Sequence, residues 1–282
     1  MIFGGNVKIG VLGGIGPEAT GEFYLKLVRG LQRTGLIEDN RDYPQIFINS
    51  IPAPELIGNT ISSEQLHPYT TGLRELEKFG VDAIVMVCNT IHLYHSEFQA
   101  GIRIPIIDLR QKVKEKMLRE RVKTATVLGT PSTIRQGLYK FEGVEYINPT
   151  DQDIDVLSTA IFRYNKVEDK TKQKQIVEGV ARKYLAKGAD TILLACTEPE
   201  VMLEDVDIPK ISTLDVLVEA VIDFYREQKP IAKRRLVEKE RFPKYDPINL
   251  LLEIATNKDF REARNSNIAG CFENPIFFDE DL

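Results

Sequence analysis

No stretch of the 282-residue chain approaches the ~20 consecutive apolar residues that a membrane-spanning helix needs, so no transmembrane segment is expected. The opening residues, Met1 to Asn6, lack a basic segment followed by an apolar one, and no signal peptide is expected. Cysteine is scarce. Three residues, an odd number, do not make a disulfide framework, and a cytoplasmic protein with reduced thiols is expected. An excess of positive charge is also missing. The formal net charge of −5 argues against general binding to nucleic acid or to an anionic membrane. What is present is ordinary for a globular protein: 43% hydrophobic and 28% charged residues, in a length that allows one or two domains with a sizeable core.

Two stretches of the chain are nearly the same stretch. Gly80-Val81-Asp82-Ala83-Ile84-Val85-Met86-Val87-Cys88-Asn89-Thr90 matches Gly188-Ala189-Asp190-Thr191-Ile192-Leu193-Leu194-Ala195-Cys196-Thr197-Glu198 at an offset of 108 residues (80 to 188, 88 to 196). Each reads as a glycine ending a helix, a short apolar run and a cysteine followed by small polar residues. An apolar run of that length between a glycine and a turn predicts a buried parallel strand. Each cysteine then sits just past the carboxyl end of a central strand, where open α/β sheets bind ligands.

The rest of the chain repeats around these stretches. Val7 to Leu12 reads as a strand, followed by the glycine loop Gly13-Gly14-Ile15-Gly16-Pro17 and a helix from Gly21 to about Leu31. Lys123 to Thr133 echoes this pattern of strand, glycine, polar turn and helix. Ile104-Pro105-Ile106-Ile107 is echoed by Ile208-Pro209-Lys210-Ile211. Strands are also expected at Gln45–Ser50, Ile104–Asp108 and Val144–Ile147, and helices at Ser63–Lys78, Thr90–Gln99, Gln111–Arg121, Asp151–Tyr164, Lys170–Lys187 and Asp215–Arg226. Alternating strands and helices imply parallel sheets with right-handed crossovers. The predicted fold is α/β with two pseudo-symmetric halves and the active site in the cleft between them. Residues 1–115 form the first half, joined by a returning helix over 212–228, and residues 116–211 form the second. Residues 229–282 form an extension with a basic linker, an apolar helical turn at Ile248–Glu253 and an acidic, aromatic end.

Several chemistries are compatible with these residues. Gly14-Ile15-Gly16-Pro17-Glu18-Ala19 matches G-x-G-x-x-A, but Pro17 removes a donor and no strand ends in Asp or Glu about 20 residues on, so a dinucleotide site is disfavoured. Cys88, His92 and His95 have the residue types of zinc ligands but no fourth partner. Cys88 with His92 resembles a thiol-protease pair but leaves Cys196 unexplained. Two matched thiols on facing halves suit the removal of a proton from one face of a carbon and its return to the other. A thiol and a thiolate can coexist near neutral pH. Enolate-like charge built up beside a carboxylate needs hydroxyl and N–H donors, which the loops at Gly13–Gly16, Asn89–Thr90, Thr130–Thr133 and Thr197 supply.

Gly13-Gly14-Ile15-Gly16-Pro17-Glu18-Ala19-Thr20, Cys88-Asn89-Thr90-Ile91-His92 and Cys196-Thr197-Glu198 resemble the three motifs of the aspartate/glutamate racemase family, over about Val7 to Tyr225. The resemblance implies a two-domain α/β homodimer that racemises aspartate, glutamate or a related acidic or small polar amino acid with two cysteines and with no metal and no organic cofactor. It implies Cys88 and Cys196 as the acid/base pair. It implies Asn89, Thr90, Thr130, Thr133 and Thr197 around the α-carboxylate, Gly14 as a further substrate-binding residue, and Lys166 facing the substrate side chain. His92 and Glu198 are expected in supporting roles. His67 is expected on the surface and Cys271 as an unpaired thiol. The alternatives are another carbanion reaction at the same site, such as decarboxylation or cis–trans isomerisation of a dicarboxylate, and a non-catalytic ligand-binding regulator.

The sequence departs from the family where an arginine grips the side-chain carboxylate of aspartate. Pro54-Glu55-Leu56 places Leu56 there. A charge-assisted interaction of that kind contributes about 1.5–3 kcal/mol, or about 10- to 100-fold in affinity. Leu56→Arg is therefore expected to raise kcat/KM for aspartate and lower it for a less polar substrate. Steady-state rates on both substrates test this, and poorer aspartate turnover by the variant would reject the register.

Overall fold

The computed structural model describes residues 6–54, 61–166 and 169–228. The extension over 229–282, with Ile248–Glu253 and Cys271, lies outside the described residues, as does Leu56. The first sheet contains β1 (Lys8–Gly13), β2 (Gln45–Ser50) and β3 (Ala83–Met86), parallel and in the order β2-β1-β3. The second contains β4 (Thr124–Gly129), β5 (Glu145–Tyr146), β6 (Thr191–Ala195) and β7 (Lys210–Ser212), parallel and in the order β5-β4-β6-β7. The two orders correspond strand for strand, apart from one position. The strand expected at Ile104–Asp108, the counterpart of β7, is reduced to a single bridge between Ile84 and Ile106. The ladder stops there because Asp108 turns away to cap α4 (Leu109–Arg119), accepting a hydrogen bond from the Arg110 N–H.

The repeated residues do the same work in each half. Gly80 and Gly188 both follow a helix with left-handed backbone, at φ 66° and 101°. Two residues on, Asp82 accepts from the Lys8 N–H at 2.7 Å, and Asp190 accepts from the Thr124 N–H at 2.9 Å. Each aspartate thereby fixes the start of the neighbouring strand. The apolar runs that follow are buried on both faces, as parallel strands require.

Alternation along those strands divides the core into three. Ile84 and Met86 face outward beneath Tyr69 and Leu73 of α2 (Ser63–Lys78). Ile192 and Leu194 face outward beneath Leu157 of α6 (Asp151–Asn165), Val177 of α7 (Lys170–Ala186) and Met202 of α8 (Thr197–Leu203). Val85 and Val87 from one half, and Leu193 and Ala195 from the other, face a single middle core. That core is completed by Phe23 and Leu27 of α1 (Pro17–Arg33), Val113 of α4, and Leu217 and Val221 of α9 (Thr213–Gln228). Helix α9 is the returning helix, and its Tyr225 hydroxyl donates to the Asp42 carbonyl of the first half. No helix among the described residues is long and apolar enough to cross a membrane.

Glu200 couples α8 to α9. Its Oε1 accepts from the Thr213 hydroxyl at 2.7 Å and the Leu214 N–H at 2.8 Å, while its buried Oε2 has no partner among the described residues. Burial pushes this carboxyl up from 4.5 to about 8. Between those values the folded chain holds a proton that the unfolded chain has lost. Stability from this group therefore falls as pH rises from about 4.5 to about 8, by a few kcal/mol in total, and levels off above. Glu200→Gln keeps one acceptor oxygen and is expected to flatten this slope. Urea denaturation across that window checks it, and a variant with the parental slope would refute the assignment.

Candidate active site

The two cysteines follow from the strand alternation. Cys88 comes two residues after the outward-facing Met86 and packs against the outer core of the first half. Cys196 comes two residues after Leu194 and keeps extended backbone (φ −153°, ψ 142°) as the N-cap of α8. Both are free thiols, Cys196 buried and Cys88 half-buried. They line one cavity of about 440 Å³, a size suited to a small metabolite.

Gly14, Asn89 and Thr90 line this cavity from the first half, and Thr130, Thr197 and Glu198 from the second. Thr133 lies just behind it. The hydroxyls of Thr90, Thr130 and Thr133 form a closed triangle across the two halves, with oxygen separations of 3.0, 3.2 and 3.1 Å. All three residues are buried. Thr130 also N-caps the short α5 (Pro131–Arg135), whose Thr133 N–H it accepts at 3.3 Å. Asn89 is held from behind by the buried Tyr139 hydroxyl, which donates to its side-chain oxygen. Its amide nitrogen is then left to donate elsewhere. On the opposite side, the loop after β1 passes so close to Glu198 that a Cβ at Gly16 would lie 2.8 Å from the carboxylate, and Gly16 has φ 87°.

The charges near the thiols oppose their ionisation. Burial pushes Cys88 up to about 12, with the nearby Glu198 adding to the shift and the N–H groups of Ile91 and Thr90 relieving part of it. Burial, and then Glu198, hold Cys196 well above its ordinary range. The Cys196 thiol donates to Glu198 Oε2 at 2.9 Å, and the Thr197 hydroxyl donates to the same oxygen at 3.0 Å. The cleft therefore brings together two thiols whose ionisation is opposed and the Glu198 carboxyl group in contact with one of them. A cation brought in by the ligand, such as an α-ammonium group, would lower the cost of a thiolate here.

The remaining predicted residues lie elsewhere. His92 is fully buried outside the cavity lining, and its Nε2 faces the Met86 carbonyl at 3.4 Å. Burial, with His95 next, pushes it down to about 3, so it is a neutral ring. His95 stacks on it and places its own Nε2 on the Ile106 carbonyl at 3.1 Å. His92 thus braces the strand end that leads to Cys88, and His95 braces the neighbouring segment at Ile106. No cluster of three or more His, Cys, Asp or Glu side chains able to hold a metal occurs among the described residues. Lys166 is exposed, with its ammonium 4.0 Å over the Phe162 ring, and it does not line the cavity. His67 is exposed on α2. The cavity instead includes Glu18, Tyr164, Asn165 and Lys170. Glu18 stands within the glycine-loop motif. Lys170 opens α7 like any charged first-turn residue, and nothing in its spacing marks it as part of a site.

A family model described as Asp/Glu/Hydantoin racemase matches residues 12–221. The chain is 30% identical over 227 residues to the broad specificity amino-acid racemase RacX of Bacillus subtilis, covering 77% of this chain and 97% of that protein. It is 26% identical to the glutamate racemase of Aquifex pyrophilus over 162 residues, 54% of this chain and 62% of that one. Among solved structures, the Picrophilus torridus aspartate racemase superposes with a TM-score of 0.66 at 24% identity, covering 81% of this chain and 98% of that one.

Glu198 bears on both thiols, so neutralising it should act on both. Glu198→Gln removes a negative charge and is expected to lower both thiol pKa values. The thiolate is the form that reacts, so alkylation by iodoacetamide at neutral pH should be faster, by about tenfold where the pKa falls by about one. Peptide mapping of alkylated Cys88 and Cys196 measures this, and slower alkylation of both thiols would contradict the electrostatic assignment.

Proposed function

The chain belongs to the Asp/Glu/hydantoin racemase family, and from that premise we propose that it interconverts the L and D forms of an amino acid by two-base proton transfer between Cys88 and Cys196. It is an isomerase, an amino-acid racemase. The observation that carries the two-base reading is the pair of free thiols, one from each half, at equivalent strand ends in one cavity.

In each direction one sulfur acts as thiolate and the other as thiol. The thiolate takes the α-proton as the Cα–H bond breaks, and the electron pair spreads into the substrate carboxylate as an enediolate. The opposite thiol gives its proton to the other face of Cα, leaving the two sulfurs with exchanged protonation. The chain needs no organic cofactor for this, because the transferring groups are its own. Thr90, Thr130 and the Asn89 amide supply donors for the charge that develops on the carboxylate, with Thr133 holding the first two in place. Starting from two thiols, Glu198 takes the Cys196 proton, so that Cys196 opens the cycle as the thiolate with Cys88 still a thiol. The reading extends to a cytoplasmic homodimer, an environment in which the two thiols stay reduced.

Cys88→Ser and Cys196→Ser are each expected to lower racemisation by about 100- to 10,000-fold, since a hydroxyl is a far weaker acid than a thiol. Incubation in D2O with a panel of amino acids, followed by NMR of the α-proton and chiral chromatography, measures exchange and inversion together. Either single mutant can retain exchange on one enantiomer while losing inversion. Racemisation by Cys196→Ala at the parental rate would eliminate the two-base mechanism.

A further inference from the structure

One feature of the cavity wall has no part in the proton transfer. Glu18, in the first turn of α1, and Lys170, at the start of α7, pair across the cleft at 2.6 Å, joining the first half to the second. Both line the same cavity as the two thiols. The third charged residue of that lining among the described residues, Glu198, is committed to Cys196 and Thr197. The Glu18–Lys170 pair is therefore the charge of each sign left to meet a substrate's side chain.

We infer that Glu18 and Lys170 form a two-signed subsite for the side chain of charged amino-acid substrates, with Lys170 receiving anionic side chains and Glu18 receiving cationic ones. The inference rests on the racemase reading for its kinetic consequences but not for binding. Three observations carry it. The pair is partly solvated, with side-chain exposures of 39% for Lys170 and 54% for Glu18, and so solvated a pair contributes little net stability. Either partner can then be given up to a ligand at small cost. Tyr164, between them, holds each partner independently of the other: its hydroxyl donates to Glu18 at 3.3 Å, and its ring lies 4.4 Å from the Lys170 ammonium. Whichever partner is released, the other stays positioned on Tyr164. Finally, an ammonium and a carboxylate are both point-like partners, without the planar fork by which arginine selects carboxylates. The subsite recognises charge at the end of a side chain rather than one particular group.

The test compares glutamate, lysine and, as a neutral reference of similar length, methionine. Exchange kinetics in D2O and affinities by calorimetry are measured for the parent, Lys170→Met and Glu18→Gln. Losing its partner should cost the matching substrate about tenfold, and removing the competing charge should help the other. Relative to methionine, Lys170→Met is expected to raise the lysine-to-glutamate preference by about tenfold or more, and Glu18→Gln to lower it by a similar factor. Normalising to methionine removes any loss from misfolding. Preferences that move in the same direction in both variants, or by less than about threefold, overturn the subsite. Opposite shifts in affinity without exchange would keep the subsite and reject the racemase reading. Exchange with flat preferences would do the reverse. A parent that neither exchanges nor binds any charged amino acid would reject both.

Discussion

The structure depends on the middle core that the two sheets share. Each sheet has an outer layer of its own, but their inner faces do not form two closed units. Val85 and Val87 pack into the same apolar volume as Leu193 and Ala195, sealed by α1, α4 and α9. Close-packed interiors resist displacement because every contact is lost at once. The separation of the two cysteines is therefore set by buried side chains lying beneath the cleft rather than by the loops that carry the thiols. The proposed two-base chemistry needs this, since a shift of about 1 Å can cost orders of magnitude in rate.

Burial is the second constraint, and it works against the proposed chemistry. The burial that fixes the thiols also pushes Cys88 to about 12 and holds Cys196 well above its ordinary range. A sulfur held as the thiol is a poor nucleophile, so burial lowers the reactivity of both. In the proposed reaction the substrate restores the balance. An amino acid carries its own ammonium group into a cavity whose fixed charge near the sulfurs is the carboxylate of Glu198. The same low dielectric then strengthens attraction between thiolate and ammonium, as it had strengthened repulsion between thiolate and carboxylate.

The strands around the cysteines were legible in the sequence because a buried parallel strand must be apolar on both faces, which leaves few alternatives for Ala83–Met86 or Thr191–Ala195. The 108-residue repeat had a physical content too, since Asp82 and Asp190 each pin the start of a neighbouring strand. The short strand at Ile104–Asp108 was less legible, because pairing and capping compete for the same residues and the cap at Asp108 wins. The hydroxyl triangle was visible as residues and invisible as geometry, for it closes only when the two halves meet. Lys166 and Lys170 lie four residues apart, but one follows the end of α6 and the other opens α7, so which of them reaches the cavity depends on how α6 and α7 pack. Spacing alone carries no information on that.

The internal repeat gives the two sulfurs equivalent backbone positions, yet it does not make them equivalent acids. After Cys88 come Asn89 and Thr90, which bring an amide, a hydroxyl and main-chain N–H groups that relieve a negative sulfur. After Cys196 come Thr197 and Glu198, and the carboxylate opposes a negative sulfur while offering its proton a destination. A negative Cys88 sulfur is thus met by donors that stay in place, whereas a negative Cys196 sulfur lies against a carboxyl. In the proposed two-base reaction the two directions start from opposite protonation of this pair, and each ends where the other begins. Because the enantiomers have equal energy, kcat/KM stays equal in the two directions at every pH. The unequal surroundings decide instead which sulfur carries the negative charge more readily between turnovers. Pseudo-symmetry in the fold therefore coexists with a chemical polarity, written in the two residues that follow each cysteine.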